Sequence, residues 1–306
     1  MSAPIGGQAV LEGVMMRGPS AWALAVRKPN GEIAEHNQPI SSVLVRHPWT
    51  RIPVVRGVVA LGESLAIGFR ALALSAHYAA QGEQGEDGEE TGAELSRTQL
   101  IFAFAIAIGF AIMLFKVSPA LITNWLPIES STWFVIVEGV IRVSVFIAYL
   151  VLVSLWPELR RVFQYHAAEH KAINAYEAGD PLEPEVVQRH SLIHVRCGTA
   201  FLLYVMVIAI FVFAFFGKPE WYWLILSRIL ALPLIAGLAY EVIRFAGRHP
   251  HNPVLRTILA PGLWLQRLTT RQPSLDQIEV SIQALREVLR VEGRLKPEER
   301  KVEVMA

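Results

Sequence analysis

Four long apolar runs constrain this chain more than any other feature of its sequence. A helix needs about 20 mainly apolar residues to cross the hydrocarbon core of a bilayer, and residues 100–117, 133–156, 199–216 and 222–240 approach that length. Of the 306 residues, 53% are hydrophobic and only 18% are charged, which is less charge than soluble domains carry. The sequence therefore predicts a mainly α-helical, polytopic membrane protein with four transmembrane helices.

The basic residues predict how these helices are oriented. They are concentrated before the first run, between the second and third, and after the fourth: Arg97, then Arg160, Arg161, Lys171, Arg189 and Arg196, then Arg244, Arg248, Arg256 and Arg267. The two other loops carry little beyond Lys116 and Lys218. Because loops rich in arginine and lysine stay inside, we expect a multi-pass protein of the cell membrane with both termini in the cytoplasm.

The segments before the first run predict three smaller units. Residues 1–50 contain alternating apolar residues around Asn30-Gly31, a strong hairpin signal, and predict a small β-rich cytoplasmic unit. Residues 51–80 are apolar but carry several charges, which favours an interfacial or re-entrant helix over a fifth span. Residues 81–97 are rich in glycine and glutamate and predict a flexible linker.

The rest of the chain divides into a membrane core and a C-terminal segment. We expect the core over residues 98–246, with a cytoplasmic loop at 157–198. Residues 247–306 are expected to form a cytoplasmic segment containing an amphipathic helix, which Ser274 would cap. The net charge of +1 gives no indication of a nucleic-acid partner. The lipid bilayer is the expected partner, a cytoplasmic protein partner remains open, and the oligomeric state is not indicated.

The motif with the clearest chemistry lies in that central loop. Its sequence predicts a helix over residues 158–178, stopped by a Gly-Asp-Pro sequence. His166 and His170 are four residues apart, so both imidazoles project from one face. Together with Glu169 they form H-x-x-E-H, the reversed form of the zinc metalloprotease motif. In that chemistry the glutamate is not a ligand but the general base that takes a proton from the attacking water.

A metal site of this kind needs a third ligand. Glu241, His194 and Cys197 all lie where a predicted span meets the cytoplasm, at the expected depth of the His166 helix. Glu241 resembles the downstream glutamate ligand of such hydrolases, whereas His194 with Cys197 would make a softer set suited to zinc or iron. The alternative is a polar helix that only meets lipid headgroups, with Glu169 or Glu177 paired to Lys171 or Arg161 and Cys197 a buried structural thiol.

A second polar group lies inside the predicted spans. Glu138 and Arg142 are four residues apart on one run, so they can pair, and Arg228 lies in another. Charges within a membrane are costly and indicate a function by default. We expect Glu138 to lie between the two arginines. The alternatives are a buried pair that fixes helix packing and charges that line a water-filled path.

Three stretches resemble one family. They are "GGQAVLEGVMMRGP" at residues 6–19, "YHAAEHKAINAYE" at 165–177 and "HVRCGTAF" at 194–201. This sequence resembles the YqhQ-type bacterial membrane proteins, a family of unknown function described as predicted metal-dependent enzymes. The resemblance covers nearly the whole chain, although Val195 stands where members usually have proline. It implies functional roles for Glu12, Arg17, His166, Glu169, His170, Lys171, His194, Arg196 and Cys197.

The N-terminal stretch of this resemblance allows two interpretations. Glu12 and Arg17 are the only charges among its glycines. They could join the histidine site as a carboxylate ligand and a clamp for a substrate anion, or they could pair with each other in a segment whose glycines serve folding.

The sequence thus supports two hypotheses of function. The first is a membrane-embedded enzyme with a divalent metal, zinc by preference, that hydrolyses a peptide or amide bond at the cytoplasmic face. The second is a non-catalytic transport, channel or assembly factor, in which the hairpin and the C-terminal helix bind a partner and the histidines are structural or regulatory.

Overall fold

The computed structural model describes residues 5–80, 97–215, 220–249 and 252–294, and all statements below refer to these residues. The strands are β1(Gly6–Val10), β2(Gly13–Arg17), β3(Ala21–Arg27) and β4(Ile33–Pro39). The helices are α1(Val43–Arg46), α2(Val55–Ala80), α3(Arg97–Ile112), α4(Ser118–Asn124), α5(Ser131–Ser154), α6(Pro157–Ala178), α7(Pro184–Val187), α8(Gly198–Ala214), α9(Trp221–Leu230), α10(Leu232–Arg248), α11(Pro253–Thr269) and α12(Leu275–Val291). A 3₁₀ turn at Pro48–Arg51 precedes α2, and a π-helical turn at Met113–Val117 joins α3 to α4. The predicted linker lies outside the described residues except for Arg97, which begins α3.

The N-terminal unit is a four-stranded antiparallel meander in the order β1-β2-β3-β4. The predicted hairpin joins β3 to β4, and Gly31 in its turn has a φ of +88°. A second hairpin joins β1 to β2 through a two-residue turn, in which Glu12 has a φ of +51°. The small β-rich N-terminal unit predicted from the sequence is therefore confirmed.

Both faces of this sheet are covered by helices. Val14, Met16, Ala23 and Ala25 point to one side, where they share a core with α6 and α12. The alternate residues point to the other side and pack on α2; they include Val10, Met15, Trp22, Leu24 and Val26. This alternation is the two-residue period of a strand. The sheet is thus the middle layer between α2 and the α6–α12 pair.

The C-terminal amphipathic helix is confirmed as α12, and its apolar face lies inside the molecule. Ser274 caps it in a full capping box with Gln277. Ile278, Leu285 and Leu289 are at most 1% exposed, because they pack against α6 and the sheet. This face is therefore occupied by the chain itself, and in this conformation it is not free to bind a partner.

Four helical segments are long and apolar enough to cross a membrane by length and composition. They are Val55–Ala79, Ala105–Asn124, Ser131–Ser154 and Leu226–Ala246. The mainly α-helical class and the number of four candidate spans are confirmed, but the set differs from the predicted one. The first segment falls in the stretch expected to form an interfacial helix, whereas Gly198–Ala214 is a shorter apolar helix.

Two charged side chains of α2 have partners on other elements. Arg56 binds Glu241 of α10, and Glu63 binds Arg17 of β2, at 2.8 Å between Arg17 Nη2 and Glu63 Oε2. Both charges are thus neutralised by partners on other elements, which the sequence of α2 alone does not reveal. Residues Ile67 and Ala71 of the same helix pack on the sheet.

Candidate metal centre

Two elements bring together three side chains of the kinds that can hold a metal ion. α6 carries His166 and His170 one turn apart, and Cys197 is the residue that caps the start of α8. One ring nitrogen of each histidine and the sulfur of Cys197 all lie within 4.8 Å of one another. The sulfur is 3.3 Å from Nε2 of His166, and the two imidazole rings are 4.4 Å apart. We refer to His166, His170 and Cys197 as the metal triad.

Backbone carbonyls fix both imidazoles. Nδ1–H of His166 donates to the carbonyl of Thr269 at 2.9 Å, and Nδ1–H of His170 donates to that of Leu192 at 2.6 Å. In the neutral form of each ring, this arrangement places the proton on Nδ1 and leaves Nε2 with its lone pair, as in metal-ligating histidines. Nε2 of His170 is buried and has no hydrogen-bond partner among the described residues. In the neutral ring its lone pair is therefore not engaged by any described residue and is available to a metal ion.

The electrostatics of the triad favour a thiolate. Burial alone would raise the pKa of Cys197, but the contact with His166 and the positive charge that the two neighbouring imidazoles can carry hold it well below its usual value. Burial likewise opposes the charged form of His166, yet the thiolate and the carboxylate of Glu169 raise the pKa of His166 to about 9. A thiolate beside two imidazoles is a soft N₂S donor set, which suits zinc. The residues present therefore fit a divalent metal of this type.

Glu169 lies next to the triad but faces the sheet. Its side chain is 5% exposed and packs against the backbone of β1 at Gly7. A Cβ atom at Gly7 would lie 2.7 Å from Cγ of Glu169 and 2.9 Å from Oε1. The glycine therefore makes room for a buried carboxylate beside His166. Among the described residues, no carboxylate lies close enough to all three triad atoms to count as a fourth ligand.

The structure does not bring Glu241 to the triad. Arg56 of α2 binds both oxygens of Glu241, through Nε to Oε1 at 2.7 Å and through Nη2 to Oε2. The backbone N–H of Val54 also donates to Oε1, at 3.3 Å. Close packing of α2 on α10 produces this contact, because Gly57 lies against Tyr240 and Gly237 against Val54. Glu241, which the sequence suggested as a carboxylate ligand, therefore forms an ion pair with Arg56 instead.

His194 lies behind the triad. Its ring is 5.8 Å from that of His170, and its Nε2 is 3.5 Å from Oε2 of Glu177. Arg196 binds the other oxygen of Glu177. Burial raises the pKa of Glu177, but hydrogen bonds from His194 and Arg196 outweigh this effect and lower the pKa to about 2. Through these contacts His194 and Arg196 hold the loop before α8 against Glu177 of α6.

Lys171 has a related structural task. It is 3% exposed, and its ammonium donates to the carbonyls of Gln188 and His190 at 2.6 Å each. These contacts fix the same loop that supplies the Leu192 carbonyl to His170. Lys171 thus pairs with neither Glu169 nor Glu177, and it acts on the triad only through the loop.

The two charges of the N-terminal stretch follow neither interpretation made from the sequence. Glu12 binds Arg161 of α6, at 2.6 Å between Oε1 and Nε, and Arg17 binds Glu63 of α2. They do not pair with each other because Glu12 lies in the β1–β2 turn, at the far end of β2 from Arg17. Each charge instead ties the sheet to one of its covering helices.

A cleft of about 290 Å³ lies at the loop that anchors His170. Ser191, Leu192, Ile193, Arg267 and Thr270 line it. Leu192 supplies the carbonyl that holds His170, and Thr270 adjoins the residue whose carbonyl holds His166. The cleft therefore lies at the backbone that anchors both histidines, and no side chain of the triad is among the residues that line it.

The comparisons with known proteins agree with the resemblance seen in the sequence. A family model described as "Protein of unknown function (DUF1385)" matches residues 52–291. The chain belongs to this family. It is also 32% identical over 302 residues to "Uncharacterized protein YqhQ" of Bacillus subtilis (strain 168), an alignment that covers 94% of this chain and 93% of that protein. No solved structure matches. The family assignment made from the three motifs is confirmed, and the matched region contains the whole metal triad.

Several contributors to the site were not identified from the sequence. The carbonyls of Thr269 and Leu192 anchor the histidines, and the side-chain amide of Gln266 exchanges two hydrogen bonds with the backbone of His194, at 2.9 and 2.8 Å. Backbone acceptors leave no mark in a sequence. Gly7 did leave one, since it belongs to a stretch whose glycines were considered important for folding, but its partner Glu169 lies 162 positions later.

Proposed function

We propose that this protein is a membrane-embedded, metal-dependent hydrolase whose zinc site lies at the cytoplasmic membrane face. The observation that carries the proposal is the metal triad: two imidazoles held by carbonyls through Nδ1 and a thiolate within 4.8 Å of both. Three protein donors with an open fourth position are the pattern of catalytic zinc sites, whereas structural sites are closed by four protein ligands.

Each residue has a distinct role in this proposal. His166, His170 and Cys197 hold the ion, which when bound lowers the pKa of water and polarises a carbonyl group. Glu169 is the general base, because it is the buried carboxylate beside His166 and Gly7 leaves space for it. The proposed route for the substrate is the cleft along Leu192 and Thr270, which lies at the backbone that holds both histidines. A peptide or amide bond is the substrate class that the H-x-x-E-H motif favours.

The cytoplasmic orientation rests on charge distribution. The loop that carries the triad, residues 157–198, is one of the three arginine- and lysine-rich segments from which we infer the inner side. Only two residues separate the end of α5 from the start of α6, so the site is close to the end of a candidate span. A substrate could thus approach either from the cytoplasm or along the membrane surface.

Substitution of Glu169 tests the proposal. Glu169→Gln should retain about one metal ion per protein, since Glu169 is not a ligand, while hydrolysis of a panel of amide and ester substrates in proteoliposomes falls by at least about 10²-fold. Glu158→Gln changes an exposed glutamate in the first turn of the same helix and is the matched control. Wild-type turnover by Glu169→Gln would refute the catalytic role, and a scaffold with a structural ion would then fit better.

The contact between Cys197 and His166 favours a second candidate, a metal-free thiol hydrolase. A sulfur 3.3 Å from an imidazole nitrogen, with its pKa lowered by histidine hydrogen bonds, is also the geometry of an activated nucleophile. The two candidates differ in their response to chelation. A zinc enzyme loses turnover and its thiol becomes open to alkylation, whereas a thiol hydrolase keeps its turnover.

A further inference from the structure

A second group of buried charges lies at the other end of α5 from the metal triad. Glu138 and Arg142 on α5 form an ion pair, and Arg228 on α9 reaches the second oxygen of Glu138 at 3.2 Å. Lys116 lies 5.6 Å from the ring centre of Phe213, and Arg228 Cζ lies 4.1 Å from the same ring. We refer to Glu138, Arg142, Arg228 and Lys116 as the intramembrane charge cluster.

The cluster is distant from the proposed catalytic site. Glu138 precedes the end of α5 by 16 residues, which corresponds to about 24 Å along the helix at 1.5 Å per residue. Its members belong to candidate spans, whereas the metal triad lies on α6 and at the cap of α8. The cluster therefore requires a separate explanation.

The charges of the cluster do not balance. Three cationic side chains face one carboxylate, and both oxygens of Glu138 are already engaged by the two arginines. The side chains of Glu138, Arg142 and Arg228 are 3%, 4% and 8% exposed. Glu138 lies between Arg142 and Arg228, as expected from the sequence, but it cannot neutralise both of them.

The hydrogen bonds of Arg228 are also incomplete. Its Nη2 binds Glu138, while Nε and Nη1 are buried and have no hydrogen-bond partner among the described residues. Arg142, by contrast, donates its Nε–H to the carbonyl of Phe115 at 3.1 Å. Leaving a buried guanidinium both unneutralised and unsatisfied is strongly unfavourable in a membrane. The ring of Phe213 lessens this cost through a cation–π contact but accepts no N–H bond in the guanidinium plane.

We propose that the intramembrane charge cluster binds a small monovalent inorganic anion of the chloride type at Arg228. One such anion would accept from the free guanidinium N–H groups and remove one excess positive charge. The monovalent class follows from the charge at Arg228, because Glu138 already neutralises one of the two buried arginines and Lys116 is only partly buried. A divalent oxyanion would need more free donors than the single guanidinium of Arg228 offers.

Anion-dependent stability tests this proposal. The detergent-purified full chain is unfolded thermally at constant ionic strength while gluconate is replaced by chloride, bromide or phosphate. For the wild type we expect chloride and bromide to raise the midpoint in a saturable manner by about 3–6 °C. Arg228→Gln should show no such rise, and Arg248→Gln, which changes an exposed arginine at the end of α10, should respond as the wild type does.

Chloride-35 NMR of the wild type gives a second readout that does not depend on the folding of a variant. Bound chloride should broaden the line, and excess bromide should reverse the broadening. The proposal is overturned if the wild-type midpoint is independent of chloride, if Arg228→Gln retains the response, or if phosphate alone stabilises the protein. None of these results depends on the presence of zinc, so they leave the proposed hydrolase function unaffected.

Discussion

Substitution of Gly7 by alanine probes how the sheet positions the proposed catalytic base. A Cβ atom at Gly7 would lie 2.7 Å from Cγ of Glu169, which is 0.7 Å less than the 3.4 Å at which ordinary contact begins. Glu169 is 5% exposed and cannot move freely into solvent. Overpacking of this kind costs about 1–3 kcal/mol. Gly7→Ala should therefore lower the free energy of unfolding by that amount.

The adjacent glycine is a matched control. A Cβ atom at Gly6, in the same strand, would have nothing within 4 Å. Neither glycine has a positive φ, so both alanines restrict the unfolded chain to a similar extent. The difference between Gly7→Ala and Gly6→Ala thus isolates the contact with Glu169. Chemical unfolding in detergent, followed by tryptophan fluorescence, measures it, and the buried Trp22 of β3 reports on the sheet.

A double-mutant cycle completes this experiment. In a Glu169→Ala background the alanine at position 7 has no carboxylate to displace, so its cost of about 1–3 kcal/mol should disappear. Metal content should stay at the wild-type value throughout, because neither residue is a ligand. Equal stability of Gly7→Ala and Gly6→Ala, or an unchanged cost in the Glu169→Ala background, would show that β1 does not position Glu169.

Three further predictions concern other parts of the site and fold. Lys171→Met leaves two carbonyls without their donor and should destabilise the protein by about 2–4 kcal/mol in urea. Lys28→Met, which removes a 4.0 Å ion pair, should have little effect. Equal effects of the two substitutions would show that Lys171 does not hold the loop before α8. Glu241→Gln breaks the pair with Arg56 but should leave bound zinc unchanged in elemental analysis, and a loss of zinc would restore Glu241 as a ligand. A hydrogen bond from Arg290 outweighs burial and lowers the pKa of Glu287; its carboxylate therefore stabilises the protein above the ordinary value near 4.5, and this contribution is lost at lower pH. Glu287→Gln should accordingly flatten the stability profile between about pH 5 and 3, and an unchanged profile would contradict this assignment.

Local signals in the sequence predicted local structure well. Asn30-Gly31 indicated the β3–β4 hairpin, Gly179 the end of α6, and Ser274 the start of α12. In each case the signal and its effect lie within a few residues, because turns and helix caps are set by neighbouring backbone and side chains. The same holds for His166 and His170, whose spacing alone places them on one face of a helix.

The partners of these residues depended on packing between distant segments. Glu241 and Cys197 were both expected at the membrane edge, but the depth of a residue does not determine which neighbour its side chain contacts. Because α2 packs on α10, Glu241 pairs with Arg56. Cys197 contacts His166 because it is the residue that caps the start of α8. A sequence separation of 185 residues between Arg56 and Glu241 leaves no local pattern from which this pair could be inferred.

X-ray absorption at the zinc edge tests the metal triad most directly. The purified wild type, loaded with one equivalent of zinc, should show one sulfur neighbour at about 2.3 Å together with nitrogen or oxygen neighbours near 2.0–2.1 Å, two of them with the outer-shell scattering of imidazole. Cys197→Ser should remove the sulfur neighbour, and His170→Ala should lower the affinity for zinc. A wild-type protein that binds no zinc, or zinc without a sulfur neighbour, would contradict the account.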